Sequence, residues 1–241
     1  MKEGQGTILF SNGASFTGEF RDGFSHGKGT FYFPNGDCLQ GNWKEDLLQG
    51  KGTMIISKPG MVIEGDFHEE SETKRVKVQW KNGAFYEGEF KDGRPEGQGK
   101  YDHPLEGVLY KGSWKNGRAH GKGELLLEGN MKVTGEWLEG FPHGEISIKH
   151  VNFEIVCGFE KGQIRENEQG VINFPEKFKY SGGLSRNLNF HGKGTLSQED
   201  IIVFGKWEDG KENGSFKVLF RTGDTIEGHM EDGEFRGQCE I

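Results

Sequence analysis

Tyr110-Lys111-Gly112-Ser113-Trp114-Lys115-Asn116-Gly117-Arg118-Ala119-His120-Gly121-Lys122-Gly123 is the stretch that decides the fold. Its first five residues put large side chains two places either side of a glycine. Successive side chains of a β-strand point to opposite faces, so Tyr110, Gly112 and Trp114 share one face while Lys111 and Ser113 share the other. Asn116-Gly117 is a two-residue hairpin signal, and Gly121 and Gly123 open a second strand. The unit is therefore a β-hairpin. Glycines in the place of Gly112 stand at 18, 41, 65, 88, 112, 135, 158, 182, 205 and 228, always 23 or 24 residues apart. Such a period marks a tandem array.

Two places before each of these glycines is an apolar or aromatic residue, from Phe16 to Ile226. Two places after them come Phe20, Trp43, Phe67, Phe90, Trp114 and Trp137, then Glu160, then Leu184, Trp207 and Met230. Glu160 makes the seventh repeat the defective one on this reading. The intervening positions are mostly polar, which predicts a second face in contact with water. The fold expected is all-β: an elongated, single-layer antiparallel sheet of tandem hairpins filling one repeat domain over residues 1–241, irregular near 70–80 and 158–170. Stability then comes from each hairpin and its neighbours rather than from one central core.

Composition agrees. The chain has 41 glycines in 241 residues, more than twice the usual share of about 7%, but only 6 prolines and no glycine at every third place, which excludes collagen. Its 3 cysteines form no C-x-x-C pair, so neither a disulfide framework nor a zinc site is expected, and a reducing compartment fits. A formal charge of −8, nearly all of it in the second half, argues against nucleic acid. MKEGQGT at the start lacks an apolar leader, which predicts a soluble, cytoplasmic chain.

The stretch Tyr110 to Gly123 resembles the membrane occupation and recognition nexus (MORN) repeat. Phe16 to Gly29, Tyr86 to Gly99 and Val133 to Gly144 resemble it less completely, and about ten repeats cover the chain. The resemblance implies antiparallel hairpins without catalysis or cofactor. It implies scaffold, adaptor or membrane-associating roles, with occurrence in cilia, the cytoskeleton and the cytoplasmic face of membranes. Departures fall at Lys74 to Lys77, which lacks G-x-G, at the shortened turn before Gly162, and at an extra residue near Pro104. Bends or bulges are expected there.

Several motifs hint at chemistry. Gly23-Phe24-Ser25-His26-Gly27 fits G-x-S-x-G, yet it lies on an inter-strand turn with no helix to follow, unlike a nucleophile elbow. The Gly-Lys pairs lack the spacing and the Ser/Thr of a phosphate loop. His26, His120, His143 and His191 recur before glycine; two repeats put them on the order of 19 Å apart, too far to share a metal, and turn capping is their expected role. His68-Glu69 has no second histidine at zinc-protease spacing. Asn213-Gly214-Ser215 is a sequon expected to stay unmodified in a chain without a leader.

The function expected is a non-enzymatic scaffold that binds an extended or helical protein segment along a groove lined by Trp43, Phe67, Phe90, Trp114 and Trp137. The alternative is a lipid-associating module using Lys74, Arg75, Lys77 and Lys81, the one dense basic run. The chain starts at Gly4-Gln5-Gly6, half a repeat in, and stops at Gly237-Gln238-Cys239, half a repeat out. Open edges and end-to-end homo-oligomers, or a longer parent chain, are expected from that.

Overall fold

The computed structural model describes residues 2–67, 74–165 and 168–240, the last four of these as backbone only. Most of it is antiparallel strand, and it divides into two compact units, Met1–Arg118 and Ala119–Ile241. In the first unit ten strands follow one another: β1 (Gly4–Leu9), β2 (Ser15–Arg21), β3 (Phe24–Tyr32), β4 (Cys38–Lys44) and β5 (Leu47–Ile56). The rest are β6 (Met61–Asp66), β7 (Lys74–Trp80), β8 (Phe85–Lys91), β9 (Arg94–His103) and β10 (Val108–Lys115). Each pairs with its sequence neighbours, as the short turns require. The second unit repeats the meander from Arg118–Leu127 to Glu234–Glu240.

Register follows the glycines. Across the first unit Gly6, Gly18, Gly29, Gly41, Gly52 and Gly65 face one another strand by strand, then Val76, then Gly88, Gly99 and Gly112. The missing side chains form a trough, and the residue two places upstream lays its ring in it. A Cβ on Gly18 would stand 2.9 Å from Phe16 Cζ and 2.6 Å from the Gly29 backbone, and Tyr86 fills the same space over Gly88 and Gly99. Tyr86 and Tyr180 are 0% exposed in consequence. This is a core built from ring against backbone, so small side chains cannot substitute for none.

Where the upstream residue is aliphatic the trough is filled from the partner strand. Leu39 leaves room for Leu48 over Gly41 and Gly52, Ile63 for Val76 beside Gly65, and Val133 for Ile146 beside Gly135. A ring from the same strand and an aliphatic filler from the partner strand are thus two ways of closing the trough, as close packing demands.

The seventh repeat corrects the sequence reading. Ile146 pairs with Cys157 rather than with Gly158, so Ile155, Cys157 and Phe159 turn inward and are buried. The strand is offset by one residue, and with a period of two that offset exchanges its faces. Glu160 therefore points outward, and the repeat keeps its core.

The bulges also differ from expectation. Pairing is regular over Val76–Trp80 towards β6 and over Lys74–Gln79 towards β8, whereas register breaks after Gly18, Gly41, Gly88, Gly135 and Gly182, within the ordinary repeats. At the first of these, Gly27 and Lys28 are two extra residues of β3. Gly27 and its counterpart Gly97 adopt φ of 58° and 60°, a region that favours glycine. The extra residue near Pro104 is absorbed in a 3₁₀ turn, Pro104–Glu106. The expectations for His68 and Glu69, and for parts of 70–80 and 158–170, lie outside the described residues.

The bulge leaves backbone groups that the side chains satisfy. The Tyr86 hydroxyl donates to Glu89 O at 2.6 Å, Tyr110 to Ser113 O and Tyr180 to Gly183 O. Gln98 N–H donates to the Glu89 carboxylate at 3.2 Å. Glutamate one place after the central glycine is thus a bulge cap. Of the histidines expected to cap the turns, His143 and His191 do not do so through Nδ1, which is buried with no hydrogen-bond partner among the described residues.

Candidate functional site

Strand alternation gives each unit an apolar and a polar face. On the apolar face of the first unit the structure brings together Trp43, Phe67, Phe90 and Trp114; Trp137 belongs to the second unit. Trp43, 8% exposed, packs edge-on against Phe16 with ring centroids 5.3 Å apart, and its Nε1–H donates to Gly29 O. Trp114 is half-buried, lies edge-on to Tyr86 and Tyr110, and its Nε1–H donates to Gly99 O. Phe90 and Phe67 are half-buried as well. Phe67 joins two buried clusters, one around Phe16, Phe20, Trp43 and Leu48, the other around Ile63, Val76, Val78 and Tyr86. Edge-on pairs of this kind contribute about 0.5–1.5 kcal/mol beyond area burial. Trp137 is 6% exposed. The row is thus both core and surface: buried at Trp43 and Trp137, half-open at Phe67, Phe90 and Trp114.

The basic run does not form one patch. Along β7 Val76 and Val78 turn inward, so Arg75 and Lys77 project from the polar face. Lys74 turns the other way, its ammonium donating to Phe67 O at 3.3 Å and lying over the Phe67 ring. Lys77 pairs with Glu87 at 3.7 Å, and Lys81 sits in the following turn, its backbone N–H donating to Gly60 O. A run of charges in sequence is split by a strand.

The polar face of the first unit curves into an open groove of 1060 Å³ that crosses seven strands, from Gln40 and Gly41 of β4 to Lys111 and Gly112 of β10. The sequence reading missed it, since alternation says which residues share a face and not which way the sheet bends.

Other groups fit structure better than chemistry. Ser25 is buried, and its backbone N–H donates to the Asp46 carboxylate at 2.7 Å. Cys157 is 2% exposed; burial, and then Glu168, push its thiol up to about 11. It stays protonated at neutral pH and is a poor nucleophile. Burial likewise raises Tyr110 and Tyr180 to about 12 and Tyr86 higher still, with Glu89 and Glu96 adding to the last.

The MORN repeat family matches residues 1–15, 16–38, 40–58, 86–104, 110–128 and 134–145. No curated protein matches. Among solved structures the chain is similar to the TCP domain of SAS-4 from Drosophila melanogaster, solved with a proline-rich motif of Ana2. Identity is 12%, coverage 98% of this chain and 87% of that one, and the TM-score 0.22. The unmatched stretches include Ile63 to Val76 and the offset seventh repeat, where the trough is filled differently, although the flanking strands still pair antiparallel at both places. The MORN repeat is in general a non-enzymatic module, and it suggests an interaction scaffold. Period, hairpin register and six matched segments make this chain a MORN repeat protein.

Proposed function

We propose that the chain is a non-catalytic scaffold that holds an extended or helical segment of a protein partner on its apolar face, with Phe67, Phe90 and Trp114 as the anchors. Trp43 supports them from beneath, and Trp137 occupies the equivalent place in the second unit. One observation carries this reading: the three rings are half-open on a sheet whose strands pack on their sequence neighbours. A row of fixed aromatic edges is the kind of surface on which a few residues supply most of the binding energy. The family resemblance extends the proposal to a ciliary or cytoskeletal assembly.

The test compares the native chain with the double variant Phe90→Ala and Trp114→Ala in affinity capture from cell lysate, with circular dichroism as the control for folding. Partner recovery is expected to fall about tenfold or more, the scale of two anchors truncated. Equal recovery by a folded double variant would remove the apolar face from consideration.

A further inference from the structure

The groove on the polar face is a different surface from the aromatic row, and its charge pattern has a logic of its own. Its cations are Lys51, Arg75, Lys77, Lys100 and Lys111. Its carboxylates are Glu64, Asp66 and Glu87. In a chain of net −8 this is a local reversal of sign.

Cross-strand partners decide which of these charges are already used. Lys77 stands opposite Glu64 on one side and Glu87 on the other, and the sheet neutralises it. Arg75 stands opposite Glu89, but the Glu89 carboxylate is turned away to accept from Gln98 N–H in the bulge. Lys111 stands opposite Lys100, a like-charge pairing that costs stability. Lys100 is drawn aside to Asp102 at 3.2 Å and over the Phe85 ring. Among the described residues no ion pair reaches Arg75 or Lys111.

We propose that this groove binds an extended acidic segment of another protein, whose carboxylates pair with Arg75 and Lys111. The seven lining strands, at about 4.8 Å per step, give a groove on the order of 29 Å long, room for about nine residues of extended chain. A carboxylate between Lys100 and Lys111 relieves their mutual repulsion, and one on Arg75 replaces the partner that the bulge takes away. A flat bilayer cannot follow a concave floor, which disfavours a membrane.

The probe is a fluorescein-labelled peptide of alternating Glu and Ser, about ten residues long, with a Lys-Ser peptide of equal length as control, titrated with the full chain. Fluorescence anisotropy should show the acidic peptide bound at least about tenfold more tightly, and more weakly as salt is raised. Arg75→Glu with Lys111→Glu, both exposed positions, should abolish that preference, while Arg75→Lys with Lys111→Arg should keep it. Phe90→Ala with Trp114→Ala should leave it unchanged, which separates this groove from the aromatic face. No preference between the two peptides, or an unchanged preference in the charge-reversed variant, would overturn the proposal. So would sedimentation with vesicles of about 30% phosphatidylserine that needs Arg75 and Lys111 while the acidic peptide goes unbound.

Discussion

The fourth repeat and the third solve one packing problem in opposite ways. In the fourth, Tyr86 lies over two glycines, Gly88 and Gly99, and its hydroxyl ties down the bulge at Glu89. In the third, Ile63 is too short to cover the trough, and Val76 stands where a glycine would be. The bulge itself is not tied to the ring, since register also breaks beside Gly41 and Gly135, where the upstream residues are Leu39 and Val133. A large ring needs two bare backbones beneath it, and the hydroxyl at its far end needs the displaced carbonyl that a bulge supplies. The third repeat does without the second bare backbone, because Val76 fills that place.

The largest expected effect breaks this pairing directly. Gly99→Val places a side chain inside the Tyr86 ring and should cost about 3 kcal/mol, at the upper end of overpacking, read from the urea midpoint. Adding Tyr86→Ile converts the repeat to the Ile63 and Val76 pattern and should restore more than half of the loss. Strictly additive losses would show that the two patterns are not interchangeable.

Alkaline pH gives the next effect, and it distinguishes the two kinds of repeat without mutation. Tyr110 and Tyr180 hold their protons to about 12 when folded but release them near pH 10 when unfolded. The folded state then binds more protons than the unfolded one, so stability is fully present below pH 10 and declines between pH 10 and 12. The slope should be about 1.4 kcal/mol per pH unit for each tyrosine. Tyr180→Phe should remove its share of that slope in urea titrations at successive pH values; an unaltered slope would place the titration elsewhere.

Smaller effects sharpen the comparison. Tyr86→Phe keeps the ring but strands the Glu89 carbonyl, at a cost of about 1 kcal/mol. Phe16, already a phenylalanine over its glycine pair, sets the expectation that the fold survives. Smallest is the turn at Glu45-Asp46, where two non-glycine residues hold φ of 51° and 64°. Glu45→Asn should stabilise by about 0.5 kcal/mol, since asparagine tolerates that region best, and Asp46 must stay because its carboxylate accepts from Ser25 N–H. A fall in melting temperature for Glu45→Asn would mean that the glutamate side chain has a role of its own.

Much of this was legible in the residues. The period of the glycines fixed the hairpins and most of the register, because a ring two places from a glycine has only one face on which to lie. The seventh repeat misled, since Gly158 imitates the central glycine while Cys157 occupies its place; only the pairing with Ile146 reveals the offset. The basic run from Lys74 to Lys81 looked like one patch because sequence proximity ignores the alternation of a strand. The groove and its unpaired Arg75 were out of reach, because they depend on the bend of the sheet and on where the Glu89 carboxylate turns. Trp43, expected as an anchor, proved to lie deep, since its indole reaches back to Gly29 O.

The hairpin tips are stitched to one another. Gly23 N–H donates to Lys2 O, Asp46 to Ser25 O, Gly117 to Pro95 O, Gly140 to Ala119 O and Gly233 to Glu212 O. Each tip is thereby latched to the start of the preceding repeat's second strand, so fraying that begins at one latch loosens the next. Within either unit, damage should spread as a run does in knitted cloth, and deuterium uptake at a single injured tip should rise in the adjoining repeats before it rises in distant ones.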